Sequence, residues 1–225
     1  MNAPAVELTI DVVSDVVCPW CFVGKRQLEQ AVEALAAEAP EARVTVSWHP
    51  FQLNPELPDH GMTRSDYLQA KFGSRDTKAI YERVKTAAGQ VGLELAMERI
   101  GRQPNTVRPH ALIAVADAKQ QPAVVEALFR AYFVEGRDLT DEATLIETGR
   151  AAGLPEPAIE SAMRDEGLAQ TIRNADSSAR QMGVNGVPFF IFNRSLAVSG
   201  AAGAQTLKNA ALKALADGDP GPDAD

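Results

Sequence analysis

Cys18 and Cys21 are the only two cysteines of this chain, and they stand three positions apart in Cys18-Pro19-Trp20-Cys21. Two thiols at that spacing can hold half of a metal site, or they can pass between dithiol and disulfide. A structural zinc ion asks for four ligands, commonly two such pairs or one pair with histidines. No second pair exists, and His49, His60 and His110 are widely scattered, so no metal site is expected. Redox chemistry fits better. If Cys18 opens a helix, Pro19 supports it by taking the first helical position, where a missing N–H costs nothing and the fixed φ suits. Cys18 then lies against the free N–H groups and the dipole of the helix, which favour the anionic, reactive form of a thiol. Cys21, one turn on, is placed to attack a mixed disulfide on Cys18 and release the bound partner. Cys18 and Cys21 are therefore the expected catalytic residues.

Other side chains near the pair invite two readings each. Asp15, three residues before Cys18, reads as a loop or capping carboxylate, with proton transfer to Cys21 as the sharper alternative. Asp11 competes for that second role, since a strand residue can sit beneath the pair. Lys25 reads as a solvated helix residue that can instead orient an anionic group. His110, in Thr106-Val107-Arg108-Pro109-His110, reads as opening a helix and packing or capping locally. Trp20, between the cysteines, is expected to be exposed and to grip an apolar substrate.

The elements that must position these groups show in the hydrophobic periods. Val6 to Val13 alternates as a half-buried strand does, Leu28, Ala31, Val32 and Leu35 recur at helical spacing to about Ala39, and Arg43 to Trp48 alternates again. From Thr63 to Met182 the period is helical almost throughout. Thr63 with Asp66 resembles a capping box, and Ile80, Val84, Ala87 and Val91 make one core-facing stripe. Val125, Leu128, Phe129 and Tyr132 make a second, and Leu168, Ile172, Ala175, Ala179 and Met182 a third. After Gly183, Phe189–Phe192 and Leu196–Val198 read as a hairpin turning at Asn193-Arg194, and Leu207, Ala211 and Leu215 belong to a last helix. The expected organisation is a βαβ half over residues 1–60, a helical insertion over 61–182, a ββα half over 183–216, and a mobile polar tail over 217–225.

Composition narrows the function classes. A formal net charge of -8, a pI near 5.0 and scattered Lys and Arg argue against nucleic acid, which needs clustered positive charge. The N-terminal residues have neither the basic region nor the apolar run of a secretory signal, and no stretch approaches the roughly 18 apolar residues of a membrane span. A cytoplasmic protein with no membrane partner is the expectation, and there a lone cysteine pair points to chemistry rather than to stapling.

Ser14-Asp15-Val16-Val17-Cys18-Pro19-Trp20-Cys21-Phe22-Val23-Gly24-Lys25 resembles the active-site segment of the FrnE-like branch of the DsbA family. Trp48 to Pro55 is similar to that branch's second strand and following loop, Gly186-Val187-Pro188-Phe189-Phe190 to the family's cis-proline segment, and Val198-Ser199-Gly200-Ala201 to its closing strand and turn. The resemblance implies an α/β, thioredoxin-like fold with a large all-helical insertion between the βαβ and ββα halves. It implies a cis Val187–Pro188 bond facing the cysteines; the residues alone give no ground for this, since only about 5–6% of X–Pro bonds are cis. It also implies that the Val187 backbone pairs with an extended substrate, that Cys18 is the exposed nucleophile, and that His110 belongs to a polar face looking toward the site, with contact to substrate as its second reading. Periplasmic DsbA enzymes usually carry His where this chain has Trp20. Without that charge a weaker oxidant is expected than DsbA, whose potential is near −120 mV.

The implied activity is thiol–disulfide exchange, in the direction of reduction or isomerisation, on a disulfide-containing protein or small molecule. No bound cofactor is expected; glutathione or another thiol of the cellular pool is the natural co-substrate, and a homodimer is compatible with the helical block. The competing class is a glutathione-dependent isomerase or transferase like the kappa-class transferases, which share the inserted helices but generally have serine in place of Cys18. A third class is a holdase that grips clients with the helical block and does not need its cysteines.

Overall fold

The computed structural model describes residues 6–73 and 77–218. β1 (Val6–Ser14) leads into the Cys18 turn, α1 (Pro19–Glu38) crosses over, and β2 (Ala42–Pro50) returns parallel to β1, with Val6 opposite Ala42 and Ser14 opposite Pro50. Parallel pairing requires such a crossover.

The block that follows contains β3 (Met62–Thr63), α2 (Arg64–Phe72), α3 (Thr77–Gln90), a 3-10 turn at Met97–Arg99, β4 (Arg102–Gln103), α4 (Val107–Ala114), α5 (Gln121–Phe133), α6 (Glu142–Ala151), α7 (Glu156–Arg164) and α8 (Glu166–Gln181). It is not wholly helical, because β3 and β4 form a two-stranded antiparallel sheet. Two residues are too few to show a period, so the sequence hid them. Gly61 makes the close approach there: its φ is +64°, and a Cβ would lie 2.3 Å from the Gln103 carbonyl oxygen. The Thr63 cap forms as expected, its hydroxyl oxygen accepting from the Asp66 N–H at 3.2 Å.

Two stripes need correcting. On α3, Val84 and Ala88 are buried while Ile80 is exposed, and after α8 Met182 is 76% exposed while Asp176 holds a buried position. Both misplaced residues lie near a helix end, where the face turns away from its support.

β5 (Phe189–Phe192) and β6 (Leu196–Ser199) complete a four-stranded sheet in the order β2-β1-β5-β6, both joined antiparallel. α9 (Ala204–Asp217) packs on α1, β1 and β6. Asp217 thus ends a helix rather than starting the tail; residues 219–225 of the expected mobile tail lie outside the described residues. Asn193 and Arg194 take φ of 43° and 55°, as a tight hairpin requires. Asn193 is also buried. Its Oδ1 accepts from the Thr9 N–H at 2.9 Å and its Nδ2 donates to the Ala214 carbonyl at 3.1 Å, tying the hairpin to β1 and α9.

The helical block and the sheet share one core. Phe22 of α1 stacks on Phe129 of α5 with ring centroids 4.9 Å apart, and Phe133 lies 6.3 Å from the same ring. All three rings are fully buried, each contributing on the order of 1.5–3 kcal/mol by leaving water. Lys25 is not solvated: it is 3% exposed and ion-paired with Glu29 and, at 2.9 Å, with Glu126 of α5. The anionic group it orients is structural, and it pins α1 to the block.

Candidate active site

Cys18 is the N-cap of α1, in extended backbone (φ −94°, ψ 111°), with Pro19 beginning the helix. Its own N–H donates to the Asp15 carbonyl at 3.0 Å, closing the turn after β1, and its carbonyl accepts from the Cys21 N–H at 3.0 Å. Its side chain makes no cap bond; instead the thiol donates to the Val187 carbonyl at 3.5 Å. The Val187–Pro188 bond is cis. Pro188 itself is buried, against Gly24 of α1, leaving Val187 half-exposed as the residue beside the sulfur. Trp20 is half-buried and packed on the core rather than freely exposed.

Behind this front the polarity rises. The resemblance implies an exposed Cys18, but it is buried at 4% exposure, little more open than Cys21 at 1%, because the Val187 carbonyl and the core beneath α1 cover the sulfur. Burial pushes the Cys21 thiol well above its ordinary pKa; the hydrogen bond and charge of Cys18 push it the same way, and hydrogen bonds from the Ser14 side chain and the Asp15 backbone only partly oppose them. The Asp15 carboxylate is fully buried. Oδ2 accepts from the Leu53 N–H at 2.7 Å, and Oδ1 lies 3.5 Å from the Val17 nitrogen and 3.5 Å from His110 Nε2. Asp15 thus bridges the turn before Cys18 and the loop after β2.

His110, 3% exposed on α4, also meets the Phe51 carbonyl at 3.2 Å. The expectation of local packing or capping gives way to a long-range contact with the redox loop. The next peptide is clamped as well: the Gln52 N–H donates to Asp176 Oδ1 at 2.7 Å, and Arg180 donates to the Gln52 carbonyl. The guanidinium of Arg180 sits 4.1 Å above the Phe51 ring. Asp11 does not lie beneath the cysteines. It pairs with His49 Nε2 at 2.7 Å at a partly exposed position, because Asp11 occupies the opposite face of β1 from Ile10 and Val12.

The structure therefore brings Cys18, Cys21, Pro19, Trp20, Val187, Pro188, Asp15 and His110 together and leaves Asp11 and Lys25 outside. Ser14, Gln52, Asp176 and Arg180 were not singled out by sequence reasoning. Ser14 carried a signal in its adjacency to Asp15; Asp176 carried one only in being polar on the buried face of an otherwise amphipathic helix.

A central βαβ unit and a hairpin in this strand order, with a Cys-x-x-Cys at a helix N-cap and a cis-proline opposite, define a thioredoxin fold interrupted by a helical block. The DSBA-like thioredoxin domain family matches residues 9–211, and the chain belongs to that family. It is 26% identical over 212 residues to the uncharacterized protein YwbO of Bacillus subtilis, covering 89% of this chain and 94% of that one. The crystal structure of a probable DsbA oxidoreductase, SCO1869 of Streptomyces coelicolor, superposes with a TM-score of 0.82 at 28% identity, over 96% of this chain and 97% of that one. The cytosolic disulfide reductase DsbM of Pseudomonas aeruginosa, solved with GSH, shares the fold with a TM-score of 0.59 at 19% identity, over 89% and 96% of the two chains. Among the described residues no helix is long and apolar enough to cross a membrane.

Proposed function

We propose that this protein is a thiol–disulfide oxidoreductase of the FrnE-like kind, with Cys18 as nucleophile and Cys21 as resolving thiol. The observation that carries the reading is the placement of the Cys18 sulfur at a helix N-cap, 3.5 Å from the carbonyl of Val187. A disulfide held along the Val187 backbone presents a sulfur to Cys18; Trp20 and Val187 flank it, and Pro188 supports Val187 from beneath. Attack by the Cys18 thiolate expels one substrate thiol and leaves a mixed disulfide, which Cys21 resolves.

Trp20 offers no cationic partner to the Cys18 thiolate, which favours reduction or isomerisation over disulfide introduction. A cytoplasmic setting and glutathione or another small thiol as electron source suit that direction, and the likeness to a cytosolic disulfide reductase solved with GSH supports both. A glutathione-dependent isomerase has no use for a second thiol, whereas Cys21 is held in contact with Cys18.

The test is capture. In a Cys21→Ser variant a disulfide substrate accumulates as a mixed disulfide on Cys18, visible by mass spectrometry. Accumulation in Cys18→Ser instead would reverse the assignment, and accumulation in neither would end the redox reading.

A further inference from the structure

The wall behind Cys21 carries a connected set of polar groups. The Ser14 side chain lies close enough to the Cys21 thiol to oppose the rise in its pKa. Ser14 also lines a cavity of about 20 Å³ together with Trp48, His49 and His110, which is room for one water. Trp48 Nε1 is buried with no protein partner, so one residue lining that cavity has a donor to spare. Both groups facing His110 Nε2, the Phe51 carbonyl at 3.2 Å and the Asp15 carboxylate at 3.5 Å, accept hydrogen bonds. Nε2 of the neutral ring therefore carries the hydrogen, and Nδ1 keeps its lone pair. Asp15 sits where it balances the charge of an added proton.

We propose that His110, supplied by the helical block, receives the proton that Cys21 releases, by way of Ser14 and one water in the cavity they share. This rests on the redox reading above and adds a positioning residue to it. When the step begins, Cys18 has opened a disulfide R–S–S–R′, holds R–S as a mixed disulfide, and R′–S⁻ has left. The Cys21 S–H passes its proton to the Ser14 oxygen, which passes its own through the water to His110 Nδ1. The Cys21 thiolate attacks the Cys18 sulfur, the Cys18–Cys21 disulfide forms, and R–S⁻ departs to be protonated by solvent. Two electrons move from the dithiol to the substrate, and a cellular thiol such as glutathione restores the dithiol.

The titratable groups around His110 are few. Asp15 on the loop after β1 lies 3.5 Å from it, and His49 on β2 lines the same cavity. On α8, Asp176 is engaged by Arg180 and the Gln52 N–H. On α5, burial holds the Tyr132 phenol in its protonated form. α6 brings the uncharged Gly149 against Leu112 of the same helix as His110, with Ile159 of α7 on the other side of that glycine.

The experiment follows oxidation of the reduced protein by oxidised glutathione, with acid quenching and mass spectrometry to separate formation of the mixed disulfide from its resolution. In Ser14→Ala and in His110→Gln, resolution at neutral pH is slower on the order of 100-fold, while formation keeps the wild-type rate. The deficit shrinks at alkaline pH, where hydroxide takes the Cys21 proton directly. Ser14→Thr, which keeps the hydroxyl on a strand, resolves as fast as the wild type, and Ser14→Ala with His110→Gln is no slower than the slower single variant. Resolution at the wild-type rate in both single variants overturns the relay, as does a deficit that is equal at every pH or accompanied by slower formation. If His110→Gln does not fold, the two Ser14 variants decide alone. A wild-type protein that never forms the mixed disulfide refutes the redox reading and the relay with it; a wild type that exchanges while its variants keep pace removes only the relay.

Discussion

The two sides of the Cys-Pro-Trp-Cys turn are built from different parts of the chain. The front, where Cys18 meets Val187 with Trp20 beside it, comes from the two thioredoxin halves and from backbone: an N-cap, a carbonyl, a cis peptide bond. The back, on the side of the buried Asp15, is braced by side chains, and several of them come from the helical block and grip the Phe51 and Gln52 peptides: His110 on α4, Asp176 and Arg180 on α8. The difference assigns a role to the insertion. It holds the Phe51–Leu53 loop, which the Asp15 carboxylate ties to the turn before Cys18.

The most direct probe of the back is the stability of the reduced protein against pH. The folded state holds the Cys21 proton more tightly than the unfolded state, because burial raises that thiol well above its ordinary value, with the hydrogen bond and charge of Cys18 adding to the effect. The sign follows. This stabilisation is complete below the unfolded thiol pKa of about 8.5 and is lost as pH rises from there through the folded value, at up to about 1.4 kcal/mol per pH unit. Urea unfolding of the reduced wild type should therefore show a steeper decline above that pH than Cys21→Ala does. Parallel declines would mean that water reaches Cys21, and the contrast between front and back would collapse.

Gly24 tests the front. A Cβ at this position would lie 2.8 Å from Pro188 Cγ and 3.1 Å from Phe190 Cζ, so the proline segment must shift. Overpacking of this kind costs about 1–3 kcal/mol, against up to about 1 kcal/mol regained from the better helix propensity of alanine. Gly24→Ala should lower Tm by a few degrees and slow the formation of a mixed disulfide, while leaving the Cys21→Ala difference against pH intact. An unchanged Tm together with an unchanged formation rate would show that the Val187 carbonyl does not depend on how closely Pro188 is packed.

The same contrast explains what the sequence reveals. Cys18, Pro19 and Cys21 declare themselves because N-cap, helix start and one-turn spacing are local rules, and β1, α1, β2 and the hairpin show in their periods for the same reason. The back is assembled by contacts such as Asp15 with His110 and Gln52 with Asp176, 95 and 124 residues apart in the chain. No local pattern encodes such pairs. Lys25 was misread for that reason: its neighbours in sequence mark a helix surface, and only the arrival of Glu126 makes it a buried ion pair. Asp11 erred the other way, since alternation along β1 places it on the face away from the thiols.

The smallest expected effect bears on Trp20. A protonated imidazole there favours the reduced, thiolate-bearing form over the disulfide, so Trp20→His should make the protein more oxidising. Each tenfold change in the exchange equilibrium is worth about 30 mV for this two-electron couple, which a glutathione buffer resolves readily. Trp20 is half-buried on the core, so the substitution also loosens packing, and that part of the change is independent of imidazole charge. The two are separated by pH: the electrostatic gain fades as the imidazole loses its proton, about pH 6.5 for an unperturbed histidine, and the packing loss does not. A Trp20→Gln control removes the ring without supplying a charge. If Trp20→His and Trp20→Gln shift the potential equally, the residue between the cysteines does not set the poise from the front, and the enclosed groups behind Cys21, Asp15 first among them, must set it from the back.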